Sequence, residues 1–564
     1  MYENWQDHVA AAVFAATTTS WFSLVDKDVK VPYLDEFFHI PQAQKYCAGD
    51  YTWDPKITTP PGLYLVAKLL SPVLGCSLRS LRVQNVFALS FIFFKALQIR
   101  RLIQPRGHTQ RKAGLSIPDP SKDTPDEQVW TDNQTPFSTA LIAFNIASFP
   151  PLFFFGGLYY TDVMSTAAVL ISYDVFIKRA AKPQWSITDD LLTVVIGVIA
   201  FSFRQTNIFW VAVFPAGLTV IRVLKENGHT AASVTGQGYL GLLQSSWSKG
   251  LIYDRSLKEG GLSVLDATML LLTIAISALR SPLKLLRSVI PYIILLVLFA
   301  GFVAWNGSVV LGDKSAHTAT IHLPQMLYIW PYIALFSAPI LIGPLFSFVA
   351  VLLPAQLGAK LGATRKSPYT VYPHPLQAIL FIAAGLLAVH FNTIIHPYTL
   401  ADNRHYVFYV FRILLRHPAL KYLAVPVYYV CFWLSIQSLA HPTADPEVPK
   451  QTCVAKPRSE ALRSTKLPVQ ISFVVIWLLT TTLSVVTAPL VEPRYFIIPW
   501  IVWRLHVPHA PTTFSLGSKT FSPDLRVIFE TVWLIAINQV LEYLFLYRTF
   551  TWPSEPGKVQ RFLW

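Results

Sequence analysis

Apolar residues in this chain come in long runs, without the strict alternation of a half-buried strand or the three-and-four spacing of a surface helix. The runs Val9–Val25, Val83–Leu102, Phe137–Phe155, Val163–Ile177, Leu191–Phe203, Ile208–Leu224, Val289–Trp305, Leu327–Leu353, Leu376–Ile395, Tyr422–Ile436, Val469–Thr487 and Val527–Leu546 are separated by polar stretches. Crossing a hydrocarbon layer of ~30 Å takes about 20 apolar residues in a helix. The pattern therefore predicts an all-α polytopic membrane protein of roughly 12 to 14 spans, counting Tyr495–Val507 as a further one.

Two apolar stretches are too short to cross. Leu63–Leu74 follows Thr59-Pro60-Pro61-Gly62, where proline suits a first helical turn, and it ends at Pro72 and Gly75. It reads as a helix lying on the membrane surface, and Ala267–Leu279 reads the same way at the opposite face. No fixed-period repeat stands out, so residues 1–564 are taken as one transmembrane domain.

Composition agrees with this. Of 564 residues 53% are hydrophobic and 14% charged, and mean hydropathy is +0.43, whereas soluble domains carry about 25% charge. The net charge of +15 would suit nucleic acid, but its distribution argues against such a partner. Arg100, Arg101, Arg106, Arg111 and Lys112 share one loop, Lys178, Arg179 and Lys182 a second, and Lys360, Arg365 and Lys366 a third. Basic loops of this kind stay in the cytosol, and loops 225–288 and 441–467 join them. The first loop, 26–82, then faces the other side, together with Gly156–Asp162, Phe203–Asn207, Asn306–Gln325, His396–Tyr406 and Val491–Tyr495.

Glu3 and Asp7 precede the first run, so it is expected to be a retained span rather than a cleaved signal. The sequon Asn306-Gly-Ser falls on the first loop's face and Asn133-Gln-Thr on the other. Cys47, Cys76, Cys431 and Cys453 show no metal-ligand spacing, and a Cys47–Cys76 disulfide is left open.

Titratable groups crowd the first loop: Asp35, Glu36, His39, Asp50 and Asp54. Adjacent helical residues diverge by about 100°, so Asp35 and Glu36 are expected to face different surroundings; one acts and the other is structural. A carboxylate partly desolvated at a membrane boundary has a raised proton affinity and can serve as a general base. The bland alternative, a solvated acid or helix cap, is the commoner fate of a single Asp; the crowding favours a site.

Other polar signatures sit at the mouths of spans on the same face. Asp402, Arg404 and His405 lie in "ADNRHY", where Arg404 has the planar paired donors that match phosphate oxygens. Lys314, His317 and His322 lie in "GDKSAHTATIHLPQ", with histidines five apart and no nearby acid, which is poor zinc spacing. Glu492 and Arg494 in "VEPRYF", Asp162 in "YYTD" and Arg204 in "FRQTN" complete the set, each equally readable as a structural ion pair. No phosphate-binding or dinucleotide loop and no nucleophile elbow appears in a suitable context.

The segments "PYLDEFFHIPQAQKYC", "WDPKITTPPGLYLV", "GGLYYTD", "FRQTNI", "GDKSAHTATIHLPQ", "ADNRHY" and "LVEPRYFIIPW", in this order from Pro32 to Trp500, resemble the endoplasmic-reticulum α-1,2-glucosyltransferases that use dolichyl-phosphate glucose. The resemblance implies a GT-C type transmembrane bundle with juxtamembrane helices in its first luminal loop. It also implies a luminal active site with an acidic residue at the position of Asp35, Glu36 being the reserve. The implied reaction moves a β-linked glucose from dolichyl phosphate into an α linkage on a dolichyl-diphosphate-linked oligosaccharide, hence an inverting single displacement. The remaining residues named above, His39 included, are expected to contact phosphate or sugar, with no metal and no cofactor beyond the lipid donor. Rival readings are a GT-C transferase using another dolichyl-phosphate sugar, or a transporter or scramblase. The latter predicts charges near mid-membrane, whereas these lie at span ends.

Overall fold

All twelve apolar runs are helical in the computed structural model, which describes residues 5–103, 136–182, 184–227, 238–257, 261–314, 320–352, 373–440, 469–488, 490–510, 514–516, 519–521 and 523–564. Expectations for Arg106, Arg111, Lys112, Asn133, His317, Lys360, Arg365, Lys366, Cys453 and the loop 441–467 lie outside these residues.

The chain is a polytopic helical membrane protein, yet fewer runs than expected form one long apolar helix. Among the described residues five helices are long and apolar enough to cross: Trp5–Asp28, Pro282–Asn306, Pro375–Asn392, Leu420–Ala440 and Leu525–Tyr547. Two more crossings exist if bent pairs count, the pair at Phe137–Ala147 and Pro150–Gly156 turning by 68° and that at Gln325–Phe336 and Ala338–Phe346 by 94°. The other runs fall short of that length and composition for physical reasons. Pro150 and Pro151 cannot continue the preceding helix and instead start a new one. Leu78–Ile103 and Thr161–Ala181 are long enough but carry charges, which they pair inside the bundle, as Lys95 does with Asp174 at 2.9 Å. Ile471–Val485, at 15 residues, is simply short.

The first loop folds onto the bundle as two helices, Glu36–Ala48 and Gly62–Leu74. The second begins where the proline pair predicts, and Leu65, Leu69 and Val73, spaced by one turn, stay exposed while Leu63, Tyr64 and Ala67 are buried. That stripe is an exposed apolar face along one side of the helix. Gly62 enters against the Ser202 carbonyl, 2.6 Å from where a Cβ would stand, so no larger residue fits. A disulfide joins Cys47 to Cys76 across this loop.

The same end of the bundle receives the segment 307–314, where Gly312, at φ +63°, lies against the Pro55 carbonyl and Leu311 donates to Thr58. It also receives the antiparallel hairpin Phe550–Trp552 with Glu555–Gln560 and the residues after it. Tyr33 and Arg561 are tied twice: the Tyr33 hydroxyl donates to the Arg561 carbonyl and accepts from its N–H, both at 2.7 Å.

Candidate active site

The first-loop helix is entered through Leu34, whose φ of +49° is unusual for a branched residue and turns the chain sharply. Asp35 stands at the N-cap position, its side chain making no capping bond, and Glu36 opens the helix; the two side chains have opposite fates.

Glu36 is fully buried. Its carboxylate accepts a fork from Arg82, at 2.9 and 2.6 Å, and the backbone N–H groups of Tyr33 at 3.0 Å and Tyr159 at 2.7 Å. Arg82 also donates to the Val29 carbonyl at 2.7 Å. Four donors saturate the carboxylate, so the expectation that Glu36 could stand in as the base is corrected: it braces the loop and has no accessible oxygen.

The Asp35 side chain is 41% exposed, and its Oδ2 accepts from Arg494 Nη1 at 2.9 Å. Its N–H donates to the Tyr160 hydroxyl at 3.2 Å, which in turn donates to the Tyr33 carbonyl. Burial pushes the Asp35 carboxyl up, but the Arg494 guanidinium, helped by His39 and His405, outweighs it and holds the group below the usual carboxylate range. This corrects the expected rise in proton affinity, because a cation in contact was not legible 459 residues away.

Arg494 is shared. Besides Asp35 it pairs with Glu492 at 2.8 Å and Asp162 at 3.6 Å, and it lies over the Tyr160 and Phe155 rings. Asp162, in the first turn of Thr161–Ala181, also pairs with Arg204 at 3.1 Å. Asp162, Arg204, Asn207, Trp210, Arg494 and Tyr495 line a cavity of about 20 Å³, room for about one water. Three carboxylates thus surround two guanidinium groups at the end of the bundle.

"ADNRHY" forms an adjoining cluster. Asp402 accepts from Arg404 at 2.7 to 3.1 Å, Arg404 Nη1 donates to Gln560 at 3.0 Å, and the guanidinium lies 4.5 Å from the Trp552 ring centre. Trp552 donates to Asn403, and His405 meets the Trp564 carbonyl at 2.8 Å. His405 is close enough to Asp35 to help depress its carboxyl. The guanidinium donors of Arg404 are thus already engaged on three sides.

Two expected contacts fall elsewhere, and a third lies beside Asp35 as a neutral ring. Lys314 turns back to donate to the Asn306 carbonyl at 2.5 Å. His322 is buried, its N–H on the Val486 carbonyl and its Nε2 accepting from Ile394, so it ties segments rather than facing Asp35. His39 meets the Tyr64 hydroxyl at 2.7 Å, and burial pulls its imidazole down to about 4. A neutral ring brings no charge to a phosphate. Arg82, Tyr160 and residues 550–564 were not foreseen as parts of the site; only the "LYYTD" segment containing Tyr160 offered a signal.

A helical bundle that gathers a partly open carboxylate and two guanidinium groups at one end of its spans has the layout of a membrane-embedded transferase acting on a phosphate-bearing substrate. The chain belongs to the DIE2/ALG10 family, whose model matches residues 29–505. It is 38% identical to the Dol-P-Glc:Glc(2)Man(9)GlcNAc(2)-PP-Dol alpha-1,2-glucosyltransferase of Gibberella zeae, over 96% of this chain and 91% of that protein. The protein of the same name from Aspergillus fumigatus is 38% identical over 96% of each chain. That from Mus musculus is 31% identical over 96% of this chain and 95% of its own length. No solved structure matches the chain.

Proposed function

We propose that this chain transfers glucose from dolichyl-phosphate glucose to the terminal glucose of the lipid-linked oligosaccharide Glc2Man9GlcNAc2-PP-dolichol, forming the terminal α-1,2 linkage. The observation that carries this reading is near-full-length similarity to glucosyltransferases named for that reaction in fungi and mouse. The site supports it with a base and a cation in contact.

In a single displacement the 2-hydroxyl of the acceptor glucose attacks C1 as the bond from C1 to the phosphate oxygen breaks. Asp35 takes the hydroxyl proton, and Arg494, with Arg204 behind it, stabilises the charge gathering on dolichyl phosphate. Nucleophile and leaving group stand on opposite sides of C1, so the 2.9 Å contact between Asp35 and Arg494 opens as the sugar enters. The incoming phosphate competes for Arg494, and a carboxylate released from its cation becomes a better base. Both lipid substrates keep their tails in the bilayer, so their heads meet at its surface, where this site lies.

We place the site in the lumen of the endoplasmic reticulum. The charge distribution supports that side, and so does the Cys47–Cys76 disulfide, since such bonds persist in oxidising compartments. Under denaturing conditions Cys47 and Cys76 are expected to resist maleimide labelling until reduced, whereas Cys431 labels at once; mass mapping of labelled peptides checks this.

Purified protein given dolichyl-phosphate glucose and the diglucosylated acceptor is expected to yield a triglucosylated product sensitive to an α-1,2-glucosidase, while dolichyl-phosphate mannose yields none. A product from mannose, or none from glucose, overturns the assignment. Arg494→Gln is expected to lower kcat by about 10²–10³, with Arg494→Lys intermediate because a lone ammonium keeps the charge but loses the fork. A phosphate monoester of dolichol leaves readily with guanidinium help, so we propose that no metal is needed; activity surviving a chelator supports this, and loss restored by a divalent ion refutes it.

A further inference from the structure

One buried side chain that takes no part in the displacement touches both members of the pair formed by Asp35 and Arg494. Leu34 adopts φ +49°, a conformation unfavourable for a branched residue, and the peptide groups on its two sides meet the same oxygen. The Tyr160 hydroxyl accepts from the Asp35 N–H and donates to the Tyr33 carbonyl, both at 3.2 Å. A phenol is protonated at neutral pH and has the proton and the lone pairs that this requires. The Asp35 side chain makes no capping bond of its own, so the phenol holds the turn and the carboxylate stays available to the cleft.

Tyr160 is itself fixed. It is 1% exposed and stands immediately before the helix Thr161–Ala181. Asn85 Nδ2 donates to its carbonyl at 2.9 Å and to that of Leu158 at 2.7 Å. The Tyr160 and Phe155 rings pack with centroids 4.6 Å apart, and they meet the Arg494 guanidinium at 5.7 and 5.5 Å, within cation–π range. A single anchored residue thus touches the backbone of the acid and the face of the cation. In such a pair a displacement of about 1 Å can change a rate about 100-fold.

We infer that Tyr160 is a positioning residue for glucosyl transfer: its hydroxyl fixes the turn that presents Asp35, and its ring fixes Arg494 beside it. This role rests on the reading of Asp35 as base and Arg494 as the cation for the leaving phosphate. Tyr160 acts through these two groups and takes no proton itself.

Tyr160→Phe keeps the ring against Arg494 and removes only the hydroxyl. With dolichyl-phosphate glucose and the diglucosylated acceptor, its kcat is expected to fall about 10- to 100-fold, with KM for either substrate moving less than about twofold. In the Asp35→Asn background the same substitution should leave the residual rate nearly unchanged, because the carboxylate it positions is gone. A phenol that merely supported the fold would lower both rates by one factor. Slackening the contact with Arg494 weakens the largest pull holding the Asp35 carboxyl down, His39 and His405 adding the rest. The acid limb of kcat/KM should therefore move to higher pH in Tyr160→Phe. Leu34→Val loads the same turn without touching the phenol, since a β-branched residue resists positive φ, and is expected to lose kcat in the same way; it decides the matter if Tyr160→Phe does not fold, as judged by a thermal midpoint in detergent. Transfer by wild type and its loss in Asp35→Asn test the underlying reading separately. Wild-type kcat in folded Tyr160→Phe, or an equal loss with and without the Asp35 carboxylate, overturns the inference.

Discussion

Asp35→Asn is expected to lower glucosyl transfer by about 10²–10⁴, the usual contribution of a positioned general base, while the thermal midpoint of the purified protein barely moves. Asparagine keeps the shape of the side chain, so acceptor and donor still bind and KM should change little. Stability changes little because Asp35 is part-exposed, and such a pair contributes at most about 1 kcal/mol; Arg494 also retains Glu492 and Asp162. The sign of the pH effect follows from the depressed carboxyl of Asp35. Its pairing stabilises the fold at pH above the unfolded value of about 3.9 and is lost as pH falls through the lower folded value. At neutral pH the free site therefore holds Asp35 ionised, and kcat/KM should not decline from its titration until pH drops below the ordinary carboxylate range. Rates at substrate well below KM across pH, in wild type and variant, check the second statement, and thermal midpoints across the same range check the first. Transfer by Asp35→Asn at wild-type rate would eliminate it as the base.

Glu36→Gln is expected to do the reverse, costing about 3–5 kcal/mol of stability by leaving Arg82 buried without its counter-charge. An amide cannot accept on both sides as the carboxylate does from Arg82, Tyr33 and Tyr159. Protein that does fold should keep kcat within a small factor of wild type, since no oxygen of Glu36 reaches the cleft. Resistance to proteolysis or a thermal midpoint in detergent measures the loss. Adding Arg82→Met should restore part of it, because an apolar replacement removes the stranded cation as well. If Glu36→Gln is stable but inactive, the assignment of roles to the two neighbouring acids is inverted.

The helices were legible because apolar runs report burial in lipid directly, and the short helix Gly62–Leu74 was legible because Pro60-Pro61 fix its start and Pro72 and Gly75 its end. Not every run forms one straight helix, because composition does not show where Ser148-Phe149 or Ser337 bends a run, by 68° and 94°. In the site, the sequence singled out Asp35, Arg494, Asp162, Arg204 and Glu492, all at span mouths, and the fold brings them together. It did not indicate that Arg494 would already hold Asp35, nor that Arg82 would claim Glu36, because long-range pairing leaves no local pattern. Lys314 and His322 matched the chemistry but not the geometry, a loop carbonyl capturing one and burial the other.

The tie between Tyr33 and Arg561 spans 528 positions of the chain. A ribosome feeding this protein into a membrane delivers Tyr33 and Asp35 first and the hairpin that covers Arg404 last. Until Arg561 is made, the Tyr33 hydroxyl lacks the backbone groups to which it is tied. The cover over Arg404 is thus acquired late, and a nascent chain stalled before Phe550 would lack it.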